Sequence, residues 1–256
     1  MVSQKRQKMR SKYKLLLVDD HPIVREGFAG LVTHEPDLTV CGQAGTAAQA
    51  LSETAKLEPD VVVVDISLKG TNGIELIKQI KNLYPDVRIL ALSVHDEALY
   101  AERALRAGAK GFVMKQAPIT EVMSAIRLVA QGGQYLSKRM QERMLEKLTG
   151  GSSSNRAKKG RLDLEQLSDR ELEVFDLIGR GLGTREIARQ LCLSIKTIET
   201  YRAHLKDKLK LRNGLELIRH AVETVNRSEG DGSGPSHSSE RSATDSDDSS
   251  RLYPNK

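Results

Sequence analysis

Three apolar runs in this chain end on charged side chains: Leu15-Leu16-Leu17-Val18 on Asp19-Asp20, Val61-Val62-Val63-Val64 on Asp65, and Gly111-Phe112-Val113-Met114 on Lys115. A carboxylate at the tip of a buried strand cannot be satisfied by packing alone, so the three tips point to one shared polar pocket. Hard oxygens from Asp20 and Asp65 suit Mg²⁺, which takes few carboxylates, several waters and a phosphate. Asp65 is then the nucleophile toward a phosphoryl group. Lys115 and the metal neutralise the developing oxygen charge, and Ser93, after the run Ile89–Leu92, donates a hydrogen bond. Singly, each piece has a plainer meaning. Asp19-Asp20 ahead of Pro22 reads as a turn or helix cap, Asp65 as a turn residue, Ser93 as a cap and Lys115 as a solvated lysine. Their order and shared place at strand ends favour the pocket.

Such a pocket needs a sheet that brings every tip to one rim. From Lys14 to Gln131 short apolar runs alternate with longer helical patterns, which predicts a parallel sheet with crossover helices. The strands are expected at Lys14–Asp19, Leu38–Cys41, Val61–Asp65, Arg88–Leu92 and Gly111–Met114. Helices are expected at Ile23–Thr33, Ala47–Leu57, Gly73–Leu83, Glu97–Ala107 and Ile119–Ala130, with Pro118 in the first turn of the last. Lys138 to Arg161 loses this pattern and carries Gly150-Gly151-Ser152-Ser153-Ser154, so it reads as a partly flexible linker.

In that order at strand ends, Asp19-Asp20, Asp65, Ser93 and Lys115 resemble the receiver domain of bacterial two-component response regulators. The resemblance implies a flavodoxin-like, doubly wound sheet of five parallel strands over residues 13–132, following a basic tail at 1–12. It implies phosphorylation of Asp65 by a sensor histidine kinase. It also implies Mg²⁺ held by Asp20, Asp65 and the backbone carbonyl of Ser67, with Asp19 acting through water. Ser93 and Phe112 become a switch pair beside Lys115. Many receivers carry proline four residues after the acceptor; here Lys69 stands there, which loosens the loop and adds a positive charge. Ser67 and His95 are expected to flank the path of water attacking the acyl phosphate, although His95 also reads as a loop histidine.

Beyond the linker at 133–163, helical segments are expected at Ser168–Arg180, Thr184–Leu191, Ser194–Leu209 and Asn213–Val225. Ser168 with Glu171 forms a capping box, and Asn213 with Glu216 is a similar start. Ile195, Ile198, Leu205 and Leu209 form a buried stripe, while Lys196, Glu199, Thr200, Ala203 and Asp207 face the other way, flanked by Lys206 and Lys210. Short polar groups on a helix after a brief turn suit the major groove of DNA, and equally the outer face of a small bundle. The stretch Leu167-Ser168-Asp169-Arg170-Glu171, Gly181 to Ala188 and Lys196 to Tyr201 resembles the LuxR/FixJ-type (NarL-type) helix-turn-helix domain, here 164–226 and all-α. By that resemblance Glu199, Thr200 and Ala203 face bases, and Lys196, Thr197, Lys206 and the helix end at Ser194 touch phosphates. Leu215, Leu217, Ile218, Ala221, Val222 and Val225 exceed one helical face, through core packing or a homodimer contact on DNA.

Composition narrows the rest. The chain has 256 residues, a net charge of +6 and two cysteines, Cys41 and Cys192, expected as buried core residues in a reducing compartment. No run approaches the roughly 20 apolar residues of a membrane span, and no export signal follows the basic start, so a cytoplasmic protein is expected. The segment 227–256 is rich in Ser, Gly and Asp and is expected to stay disordered. The expectation is a phosphorylation-controlled transcription factor rather than an enzyme. An aspartyl phosphohydrolase needs a second Asp two residues after the first, where Ser67 stands; an adaptor that binds protein instead of DNA is the remaining competitor.

Overall fold

The computed structural model describes residues 12–148 and 164–230. Five strands, β1 Tyr13–Val18, β2 Leu38–Ala44, β3 Val61–Asp65, β4 Arg88–Ser93 and β5 Gly111–Met114, form one parallel sheet in the order β2-β1-β3-β4-β5. They alternate with α1 Pro22–Thr33, α2 Ala47–Leu57, α3 Gly73–Leu83, α4 Glu97–Arg106 and α5 Ile119–Ala130. Side chains alternate across the pleat, so Leu16, Val18, Val62 and Val64 pack toward α2, α3 and α4, and Leu15, Leu17, Val61 and Val63 toward α1 and α5. Both faces are covered, which explains why these strands read as continuous valine and leucine runs. The strand order reverses between β1 and β3, and the crevice at their carboxyl ends lies between Asp19 and Asp65.

Local departures from the expected elements have physical reasons. β2 runs three residues further than expected, through Gly42 and Gln43, because the register shifts there: Val40 pairs with Leu15 but Gly42 with Leu16. Cys41 is the extra residue of this bulge, half-buried, its thiol donating to the Leu15 carbonyl at 3.3 Å. Cys192 is exposed, at positive φ in a turn, so neither cysteine is a core residue. Pro118 is the N-cap of α5 rather than part of its first turn. Within the expected linker, Lys138–Leu148 is a helix, α6, while 149–163 lie outside the described residues.

The carboxyl-terminal half consists of α7 Asp169–Gly179, α8 Thr184–Gln190, α9 Ile195–Lys208 and α10 Gly214–Gly230. The Ser168–Glu171 capping box is present in both directions. At Asn213 the side chain accepts from the Glu216 amide at 2.9 Å, but Glu216 reaches the Arg212 amide instead of closing the box. Ile198, Leu205 and Leu209 are buried on α9, whereas Ile195 is 46% exposed because it sits in the first turn, outside the bundle. α10 continues to Gly230, past the expected end at Val225, and residues 231–256 of the expected disordered tail lie outside the described residues, as do 1–11 of the basic tail. Among the described residues no helix is long and apolar enough to cross a membrane.

α7 has no solvent face: every residue from Glu171 to Gly179 is buried. Its apolar side packs in the helical bundle, and its acidic side lies against α3 and α4 of the sheet half, so one apolar cluster runs through both halves.

Gly73, the first residue of α3, folds the loop after β3 back onto the strand tip. A Cβ there would lie 2.6 Å from Ile66 Cα and closer still to the Asp65 carbonyl oxygen. Since those neighbours are backbone, Gly73→Ala is expected to destabilise the fold by about 2 kcal/mol, in the range of overpacked cores. Urea denaturation of the two proteins measures it.

Candidate functional site

Asp65 is 1% exposed at the end of β3, held by the strand's pairing on both sides. Its Oδ2 accepts from Lys115 Nζ at 2.7 Å, and its Oδ1 from the Ser67 amide at 3.0 Å. The same Lys115 ammonium donates to Asp19 Oδ2 at 2.6 Å, so one cation bridges two strand tips. Lys115 is anchored by its own amide, which donates to the Ser93 carbonyl at 2.7 Å across β4 and β5. Burial pushes the Asp65 carboxyl above the usual range, with Lys115 only partly offsetting it. Burial also works against the charge on Lys115, but Asp65 and Asp19 together outweigh it and raise its pKa.

Asp20 differs from its neighbours. Both of its carboxylate oxygens are buried and make no hydrogen bond. The His21 Nδ1 and Lys69 Nζ stand 3.2 and 3.1 Å from them as ion-pair neighbours. Potential ligand atoms of Asp19, Asp20, His21 and Asp65 all lie within 4.8 Å of one another. A desolvated carboxylate without a donor, beside two more carboxylates, is what a hard divalent cation satisfies, so the residues present fit Mg²⁺. The Ser67 hydroxyl is likewise buried without a partner. Sequence reasoning placed Lys69 near the pocket but missed His21, whose ring closes over Asp19 as the N-cap of α1.

Ser93 is fully buried at the end of β4, and its Oγ accepts from the His95 amide at 2.9 Å. Phe112 is fully buried on β5, in the cluster shared with Ala91, Ala101 and Ala104. His95 is not a solvated loop histidine. It is 5% exposed, with its Nδ1 2.7 Å from Asp176 Oδ2 on α7 and its ring stacked on Tyr100.

On α9, Ser194, Lys196, Glu199, Thr200 and Ala203 are exposed, and Thr197 and Lys206 half-buried. Ser194 caps the helix by accepting from the Thr197 amide at 3.0 Å, and Thr200 donates to the Lys196 carbonyl at 3.0 Å, which leaves its oxygen as an acceptor. Glu199, Ala203 and Lys206 line a shallow hollow with Thr184 and Arg202. Arg202 was missed in the sequence because its wheel position falls within the apolar stripe, between Leu209 and Ile195.

Residues 15–127 match the family described as the response regulator receiver domain, and 165–221 match the bacterial regulatory proteins of the luxR family. The chain is 33% identical over 210 residues to the oxygen regulatory protein NreC of Staphylococcus carnosus, covering 82% of this chain and 96% of that one. Among solved structures it resembles RcsB of Salmonella enterica serovar Typhimurium bound to promoter rprA in the presence of the phosphomimetic BeF3−. That match has a TM-score of 0.56 at 28% identity, over 83% of this chain and 99% of that one. A LuxR-family two-component response regulator from Aurantimonas sp. aligns with a TM-score of 0.51 at 34% identity, over 54% of this chain and 99% of that one.

The raised pKa of Asp65 has a testable consequence. Because the folded protein holds this proton more tightly than the unfolded chain, the contribution to stability is full below the ordinary value of 3.8 and is lost as pH rises through the raised folded value. Without divalent ions, Asp65→Asn is therefore expected to melt higher than the wild type at neutral pH, with the advantage shrinking to nothing in acid. Calorimetric melting from pH 3 to 8 reads this directly.

Proposed function

The chain belongs to the response regulators that join a receiver domain to a LuxR-type DNA-binding domain, and on that premise we propose that Asp65 accepts a phosphoryl group from the phosphohistidine of a sensor kinase. The phosphorus–nitrogen bond breaks as a phosphorus–oxygen bond forms to Asp65, and the kinase's ring, protonated beforehand on its other nitrogen, leaves as neutral imidazole. The observation that carries this reading is the convergence of Asp65, Asp19 and Lys115 within hydrogen-bond distance, beside an Asp20 carboxylate that lacks any hydrogen-bond donor.

Asp20, Asp65 and the Ser67 carbonyl would hold Mg²⁺, with Asp19 acting through water. When bound, the ion supplies charge neutralisation at the phosphoryl oxygens. Lys115 orients the Asp65 carboxylate and pairs with the negative charge that accumulates. Ser93 turns inward to donate to the phosphoryl group, and Phe112 turns into the space it leaves. Ser67 stands two residues after Asp65, where an aspartyl phosphohydrolase carries its acid–base carboxylate, in keeping with a regulator. Phosphorylation shifts an existing equilibrium toward a DNA-bound homodimer, so the unphosphorylated protein retains some binding. The exposed Leu215 and Ile218 on α10 support a contact between two copies. The site of action is then the bacterial cytoplasm, where the DNA lies.

On DNA, Glu199, Thr200 and Ala203 read bases, while Ser194, Lys196, Thr197 and Lys206 hold phosphates. Glu199 is acidic beside an anionic duplex, and accepting from a cytosine amino group gives it a reason to be there. Electrophoretic shift assays on a selected operator test the whole reading. Acetyl phosphate with Mg²⁺ is expected to tighten binding by the wild type but not by Asp65→Asn. Glu199→Ala is expected to change the preferred sequence, and Lys206→Ala to weaken all sequences and lower the salt slope by about 1. Equal stimulation of Asp65→Asn, or a chain that shifts no duplex at low salt, contradicts the reading.

A further inference from the structure

A cavity of about 250 Å³ lies among α3, α4, α6 and the chain that enters α7. Its apolar lining is deep: Met140, Leu164 and Leu172 are buried, and Leu99 and Met144 are half-buried beside them. Met140 and Met144 lie one turn apart, so a single face of α6 supplies two unbranched thioether side chains. Such side chains adapt to an irregular guest more readily than branched ones. Among the described residues no aromatic ring borders the space.

The border is charged, and its charges do not balance. Lys78, Arg103, Arg106 and Arg143 stand against Glu102, Glu165 and Asp169, which leaves one positive charge in excess. Asp169 accepts from Lys78 at 2.8 Å and from Arg103 at 3.0 Å, and Arg106 pairs with Glu102 at 2.5 Å. Arg103 also donates to the carbonyls of Leu164 and Leu167, so it serves the wall of the cavity. Arg143 is half-buried on α6, three residues after Met140 and next to Met144, where a guanidinium meets the apolar lining.

Apolar lining with a surplus cation at its edge selects an amphipathic anion. A neutral apolar guest leaves the surplus charge uncompensated in a partly desolvated place. The segment that joins α6 to Leu164, residues 149–163, carries four cations and one carboxylate and would add to the excess instead of neutralising it. At the packing density of protein interiors, about 250 Å³ accommodates about ten non-hydrogen atoms.

We propose that this cavity is a binding site for a small amphipathic carboxylate, its hydrocarbon part among Leu99, Met140, Met144, Leu164 and Leu172 and its charged end on Arg143. A guanidinium takes a carboxylate through two parallel hydrogen bonds, which fixes the orientation of the guest. None of the bordering residues belongs to the phosphoryl pocket, so the site stands whether or not Asp65 is the acceptor. Because α4 and α6 supply one wall and Leu164 and Leu172 the other, an occupant stabilises the packing of the two by mass action.

The test titrates the full chain by calorimetry with octanoate, a linear carboxylate of this size, and with octan-1-ol, the same chain without the charge. Octanoate is expected to bind one-to-one with a Kd on the order of 100 µM, ordinary for so few atoms. Octan-1-ol is expected to bind about tenfold more weakly, the worth of a charge-assisted hydrogen bond. Arg143→Gln is expected to weaken octanoate by about the same factor and leave octan-1-ol unchanged. Ala98→Phe, which fills the cavity from α4, is expected to abolish both; if it fails to fold, Arg143→Gln decides the matter. The site is overturned by octanoate that does not saturate below about 10 mM, by octan-1-ol that binds as tightly, or by unchanged octanoate affinity in folded Arg143→Gln.

Discussion

The structure turns on the cost of keeping Asp65 out of water. A buried carboxylate beside Asp19 and Asp20 is electrostatically unfavourable, and within the protein Lys115 is the cation that offsets it, bridging Asp19 and Asp65. That arrangement dictates much else. β1 and β3 must be adjacent, β5 must end level with them, and Lys115 must be pinned through its amide to the end of β4. Gly73 lets the loop after β3 return tightly onto the strand tip. Asp20, whose oxygens make no hydrogen bond and have His21 and Lys69 as ion-pair neighbours, completes a carboxylate cluster that fits a divalent cation.

The same economy of burial governs the junction between the halves. α7 places Glu171, Glu173 and Asp176 in the interior, each with nitrogen partners: Lys208 for Glu171, Arg170 and Asn72 for Glu173, His95 and Arg180 for Asp176. Buried charges of this kind contribute little net stability but penalise misplacement heavily, so they fix how the halves meet. A contact specified by a few desolvated pairs can be lost as a unit when one partner moves, which is the property a switch requires.

Much of the pocket was legible because its residues sit at strand tips. Continuous apolar runs located β1, β3, β4 and β5, and the polar residue at the end of each, Asp19, Asp65, Ser93 and Lys115, marked the rim. The Ser168–Glu171 box marked the start of α7 for the same reason: its signal lies within four residues. β2 was read short because Gly42 and Gln43 interrupt its pattern at the bulge. α6 was hidden by its proximity to a Gly-Ser stretch and by sparse apolar residues. Cys192 was misjudged because its apolar neighbours Leu191 and Leu193 said nothing of a left-handed turn that points it outward. The contact His95 makes had no sequence signal: its partner is 81 residues away, and a histidine two residues past Ser93 reads as flanking the pocket, or as a loop residue, until the opposing helix is in place.

In the proposed function, phosphoryl transfer to Asp65 is the step from which every later consequence follows. An acyl phosphate is reduced by borohydride to an alcohol, which turns the modified aspartate into homoserine and marks its position by mass. After incubation with acetyl phosphate and Mg²⁺, borohydride trapping and peptide mapping should locate homoserine at Asp65 and at neither Asp19 nor Asp20. Homoserine at another aspartate, or at none, contradicts the account.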